Sequence, residues 1–151
     1  MMGTDQGVRI GEKNPDEAWR LLQDAGSGCR LIDVRTRAEW SFVGVPDLGE
    51  LRDEPILVEW ASYPDMSINA RFVAEVMDAL GGDRPGHLLF LCRSGQRSLR
   101  AAHAVAAHLQ SEGATCDCIN VAEGFEGDLD RDGHRGRVNG WKVRGLAWRQ
   151  T

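Results

Sequence analysis

No stretch of the sequence is apolar for long enough to cross a bilayer, and the opening residues, MMGTDQGVRIGEKN, contain no apolar core of a secretory signal. A cytoplasmic protein without a membrane partner is therefore expected. Positive charge is not in excess: 18 Lys and Arg stand against 23 Asp and Glu, a formal net charge of −5. That balance argues against a generalist nucleic-acid binder, although a local basic site remains open. Cysteine is sparse. Cys29, Cys92, Cys116 and Cys118 are too few for a dense secreted framework, so reduced thiols are expected. Internal repeats and low-complexity tracts are absent as well.

What remains is an ordinary globular composition, 42% apolar and 27% charged over 151 residues, which predicts one domain spanning 1–151. Asn14 and Pro15 form a helix start, Ala18, Trp19, Leu22 and Ala25 follow at helical spacing, and Gly26 is a stop. CRLIDV (Cys29–Val34) reads as a buried strand, TRAEWSF as a short helix capped by Thr36, and Val43–Glu54 as loop. PILVEW (Pro55–Trp60) reads as a second strand. A helix capped by Asn69 and stopped by Gly81 follows, and then a third strand, HLLFL (His87–Leu91). Ser98 to Gln110 repeats apolar residues at helical spacing, and Ala114–Val121 reads as a fourth strand. Alternating strands and helices predict an α/β fold, with a parallel central sheet flanked by helices on both faces. Its sites belong at the carboxyl ends of the strands, where Asp33, Arg35, Trp60, the Cys92 loop, Glu123 and Phe125 would gather.

One junction calls for chemistry. LFLCRSGQRS runs from a buried strand into a helix and places Cys92 beside Arg93, Ser94, Gly95, Gln96, Arg97 and Ser98. Backbone N–H groups curling at a helix start attract an anion, and the same field, with two arginines, favours a thiolate on Cys92. Gly95 permits positive φ or close approach to a ligand, and the two serines supply hydroxyls. An inert buried cysteine would leave the arginines and the glycine without a reason.

DVRTRAEW, LCRSGQRS and GW at Gly140–Trp141 resemble a rhodanese domain, and VGVPDL, EGFEGDLD and GWKVRGLAWRQ resemble a bacterial single-domain subgroup of it. The resemblance implies a rhodanese-like fold and sulfur transfer through a persulfide on Cys92, with Arg93 to Arg97 cradling the substrate. It implies a small sulfane-sulfur donor such as thiosulfate and a thiol or cyanide acceptor, which could be carried by a protein, without metal or other cofactor. VGVPDL departs from the family's usual GHIPGA-like stretch, and Ala147 replaces a common proline. Two rival readings use the same fold. One is a Cys-dependent phosphatase or arsenate reductase, whose loop is one residue longer than Cys92–Arg97. The other is a non-catalytic interaction module, against which the intact Cys92 and both arginines speak.

Other residues are read as structural. Asp33 is expected to accept loop N–H groups and Arg35 to pair with Glu39, rather than supply a catalytic carboxylate. Cys116 and Cys118 share one strand face as small buried residues, not half a metal site. DLDRDG (Asp128–Gly133) mimics half a calcium loop, but Asn139 stands where the twelfth-position Glu would be. His103 and His108 have no partner at a useful spacing, and Trp141 and Trp148 anchor the tail.

Overall fold

The structure is a computed structural model that describes residues 7–51 and 54–150. Residues 1–6 of the opening segment, residues 52 and 53 of the expected loop, and residue 151 lie outside it. The elements run β1 (Val8–Lys13), α1 (Pro15–Ala25), β2 (Cys29–Asp33), α2 (Arg37–Phe42), β3 (Val45–Pro46) and β4 (Ile56–Leu57). They continue with β5 (Ala61–Ser62), β6 (Ser67–Ile68), α3 (Phe72–Leu80), β7 (His87–Leu91), α4 (Gln96–Ser111), β8 (Cys116–Val121) and β9 (Trp148–Arg149). The central sheet has the order β1-β8-β7-β2-β4 and is parallel throughout. The α/β architecture with a parallel central sheet is the expected one, consistent with a rhodanese-like fold, and the sheet has five strands where the sequence indicates four. Among the described residues no helix is long and apolar enough to cross a membrane.

Side chains alternate across the sheet with the two-residue period of a strand. Ile32, Leu88, Phe90, Cys116 and Cys118 pack with Phe72 and Val76 of α3 and Ala102 and Val105 of α4. Leu31, Leu89, Leu91, Ile119 and Val121 face the other way, onto Ala18 and Leu22 of α1 and onto Phe125 and Trp141. Two buried layers explain why the central strands are nearly continuous apolar runs.

Helix starts follow local chemistry. Asn14 and Glu17 make a reciprocal capping box on α1, and Thr36 with Glu39 makes another on α2. Asn69 is not the cap of α3: Arg71 holds that position, and Asn69 accepts the Arg71 N–H while donating to Glu59 O and Glu75. α4 begins at Gln96, two residues earlier than its apolar periodicity indicates, because Gly95 turns the chain at φ +113°.

Three further departures have packing causes. β1 is an added edge strand, missed because its mostly exposed residues VRIGEK form no apolar run. The expected strand Pro55–Trp60 keeps regular pairing only at Ile56–Leu57. Val58 and Trp60 instead donate to the carbonyls of Asp33 and Val34 as the chain leaves the sheet for the β5–β6 hairpin. The presumed loop contains β3, which pairs with β9 and ties the tail to the body. Trp60 is partly buried and packs against the core, in edge contact with Phe72 at 5.1 Å between ring centroids.

Candidate active site

From β2 the chain pairs outward with β4, then returns through β7 to the other side of β2. The reversal opens a crevice at the carboxyl ends of β2 and β7, where α/β sheets commonly bind ligands. Asp33 and Leu91 end these strands in register, the Leu91 carbonyl accepts the Val34 N–H at 2.8 Å, and Cys92 follows.

Cys92 is only 1% exposed. Its Sγ accepts the Gly95 N–H at 3.1 Å and the Ser98 hydroxyl at 3.2 Å. Ser98, fully buried, also donates to Asn120 Oδ1 at 2.6 Å. One hydroxyl hydrogen thus has two acceptors, so a more negative sulfur competes better for it. The Asn120 amide donates to Gly95 O at 3.1 Å and to Glu12 at 3.3 Å, so this one buried side chain fastens the loop at both its glycine and its serine. No sequence motif marks Asn120. Its signal is the alternation Cys116, Cys118, Asn120, which turns all three toward α4. On the loop's other side, Phe125 and Glu126 donate their N–H groups to the carbonyls of Cys92 and Arg93. Only glycine fits at 124: φ is +68°, and a Cβ would come within 2.5 Å of the Arg93 carbonyl.

The two loop arginines are not equivalent. Arg97 makes a two-pronged ion pair with Glu39, at 2.7 and 2.9 Å. Glu39 therefore serves Arg97 and not Arg35 as expected; its position on α2 brings it across the crevice. Exposed Arg93 makes no side-chain hydrogen bond among the described residues, nor do Ser94 and Gln96. Burial alone would raise the Glu39 carboxyl, but Arg97 and the bonds from Thr36 hold it below its ordinary value. A depressed carboxyl stabilises the fold above its unfolded pKa and loses that contribution as pH falls through the folded one. Glu39→Gln is expected to cost on the order of 1 kcal/mol at neutral pH. In urea melts over a pH series, its difference from the wild type should shrink as the medium becomes acidic.

Asp33 and Arg35 form a fully buried ion pair. Arg35 Nη2 lies 2.6 Å from Asp33 Oδ2 and donates to Gly44 O at 2.8 Å, and its guanidinium stacks 4.2 Å from the Phe125 ring centre. Asp33 Oδ1 also accepts the Arg35 N–H at 3.1 Å. The pair joins the end of β2 to the turn before β3 and to the segment beneath the Cys92 loop.

A cleft of ≈470 Å³ opens beside the loop, with Arg93, Arg97, Glu39 and Tyr63 among its lining residues. Cys92 is not among them. A larger groove of ≈550 Å³, around Arg37, Trp40 and Glu75, contains no cysteine. Cys29, Cys116 and Cys118 are buried. Burial pushes the Cys29 thiol up to about 12, with Cys116 adding to the rise. In DLDRDG, Asp130 accepts the N–H groups of Asp132 and His134, and Asn139 bonds Asp128, so these groups close a turn. His108 pairs with Glu112 at 3.2 Å, His103 is exposed, and Trp141 is fully buried with its N–H on Ala147 O. Glu123 holds Arg144 rather than facing the loop.

No protein-family model matches the chain. In sequence it is 34% identical over 118 residues to "Uncharacterized protein RC0915" of Rickettsia conorii, covering 78% of this chain and 80% of that one. The protein encoded in the dnaA 5′ region of Rickettsia montanensis matches equally, at 34% over the same coverage. Among solved structures, Rv0390 from M. tuberculosis superposes with a TM-score of 0.79 and 45% identity, over 95% of this chain and 99% of that one. The polysulfide-sulfur transferase homodimer of Wolinella succinogenes shares the fold, with a TM-score of 0.53 at 19% identity, over 94% of this chain and 80% of that one. With this identity along most of its length, the chain belongs to the family of RC0915 and its Rickettsia relatives.

Proposed function

We propose that this protein is a rhodanese-type sulfurtransferase that carries sulfane sulfur on Cys92. The carrying observation is the convergence of the Gly95 N–H and the Ser98 hydroxyl on a cysteine at the start of a helix, in a loop of six residues from Cys92 to Arg97. The thiolate attacks the outer sulfur of thiosulfate. The sulfur–sulfur bond breaks, sulfite leaves with its electron pair, and Cys92 becomes a persulfide. Arg93, unengaged in the resting protein, meets the donor's charge, while loop N–H groups stabilise charge on the transferred sulfur. A thiol or cyanide then takes the outer sulfur and restores the thiolate, so ping-pong kinetics follow. Each step is a nucleophilic displacement at a sulfane sulfur and calls for no metal. The fold shared with a polysulfide-sulfur transferase supports this reading.

The rival phosphatase needs an arginine free to clasp a phosphate at the end of its loop. Arg97 already commits both terminal nitrogens to Glu39, which favours sulfur transfer. Intact-mass spectrometry after mixing with thiosulfate should show one added sulfur, located on Cys92 by peptide mapping. A parallel assay should show negligible hydrolysis of an aryl phosphate. Cys92-dependent phosphate hydrolysis without sulfur uptake would overturn the proposal.

A further inference from the structure

Building on the sulfurtransferase reading, we propose that the cleft beside the Cys92 loop receives a carboxylate-bearing, low-molecular-mass organic thiol as the sulfur acceptor, and that Arg135 selects it. Three observations carry this. The first is size: ≈470 Å³ lies within the usual range for small organic ligands, about 300–1,000 Å³. Thiosulfate or cyanide would leave most of it empty. The second is lining: Tyr63, Met66 and Leu129 face the cleft and are 57%, 37% and 54% exposed. Tyr63 and Met66 lie in the turn of the β5–β6 hairpin, steadied where Asp65 accepts the Ser67 N–H at 3.2 Å. These surfaces suit the carbon body of a ligand.

The third is charge. Three guanidiniums and two carboxylates line the cleft. Glu39 neutralises Arg97, and Glu126 also acts on Lys142. Half-buried Arg135 donates one terminal nitrogen to Gly127 O at 2.7 Å, which fixes its head and leaves the other terminal nitrogen for a ligand. A fixed, partly desolvated guanidinium suits a carboxylate better than a cation. In the transfer step the acceptor thiolate attacks the outer sulfur of the Cys92 persulfide. The bond between the two sulfurs breaks, its electron pair returns to Cys92 as thiolate, and the acceptor departs as an organic persulfide anion.

The test preloads the protein with thiosulfate, removes excess donor, and adds 3-mercaptopropionate or cysteamine at matched thiolate concentrations. Discharge of the added sulfur is followed by intact mass. The carboxylate thiol should discharge it faster by about tenfold, the scale of one charge-assisted hydrogen bond. Arg135→Glu should erase or invert this preference, and Arg135→Lys should retain part of it. Equal rates with both thiols, or a preference unchanged in Arg135→Glu, would overturn the inference and leave the Cys92 persulfide standing. Discharge by cyanide but by neither thiol would do the same. Failure of the protein to take up sulfur at all would overturn the underlying sulfurtransferase reading along with it.

Discussion

Replacing Cys92 by serine is expected to abolish sulfur uptake and turnover while leaving the protein folded. Loss of the nucleophile in a covalent mechanism costs on the order of a millionfold in rate, far below detection in a thiosulfate–cyanide assay. The fold should tolerate the change because the serine oxygen occupies nearly the same buried site and can accept from Gly95 N–H and Ser98. No other cysteine is placed to take over. Cys29, Cys116 and Cys118 are buried, and burial pushes the Cys29 thiol up to about 12. The Cys118 thiol is raised further, by its hydrogen bond to Cys116 and then by burial. Cys116 is lowered by that same bond, but it is only 3% exposed. Serine variants of these three should keep turnover. Persulfide on any of them, with activity surviving in Cys92→Ser, would refute the assignment.

Asp33→Ala should produce the largest loss of stability among single changes near the site. It leaves the Arg35 guanidinium in the interior with the Gly44 carbonyl and the Phe125 face but no counter-charge. Breaking a buried pair from one side costs about 3–5 kcal/mol, against a total stability of roughly 5–15 kcal/mol for a domain. Chemical denaturation should show a lower midpoint with little change in slope. Asp33→Ala combined with Arg35→Met should recover much of the loss, since it removes the stranded charge. If Asp33→Ala alone matches the wild type, the pair does not hold the end of β2 to the turn before β3.

The elements legible in the sequence were those whose signal is local. The Asn14 and Thr36 caps need only residues three positions away, and the runs at Cys29–Asp33 and His87–Leu91 are apolar because both sheet faces are covered. The strand–Cys92–loop–helix order was legible for the same reason: the glycine and the helix start lie within a few residues of the cysteine. Long-range partners were not. β1 becomes a strand by pairing with β8, 108 residues away, and its mostly exposed residues form no apolar run. Proximity in sequence points Glu39 to Arg35, but Arg35 turns into the interior to meet Asp33, and Arg97 reaches Glu39 from 58 residues on.

The sequence by itself determined an α/β protein with a lone cysteine between a buried strand and a helix, because hydrophobic period, caps and glycine act over a few residues. Tertiary structure decided what surrounds that cysteine. Asn120 fastens the loop, Gly124 admits the neighbouring segment, Arg97 is spent on Glu39, and Arg135 stands at the cleft. Each of those roles depends on which strand ends meet at one edge of the sheet, and strand order is set by packing the whole chain rather than by any segment of it.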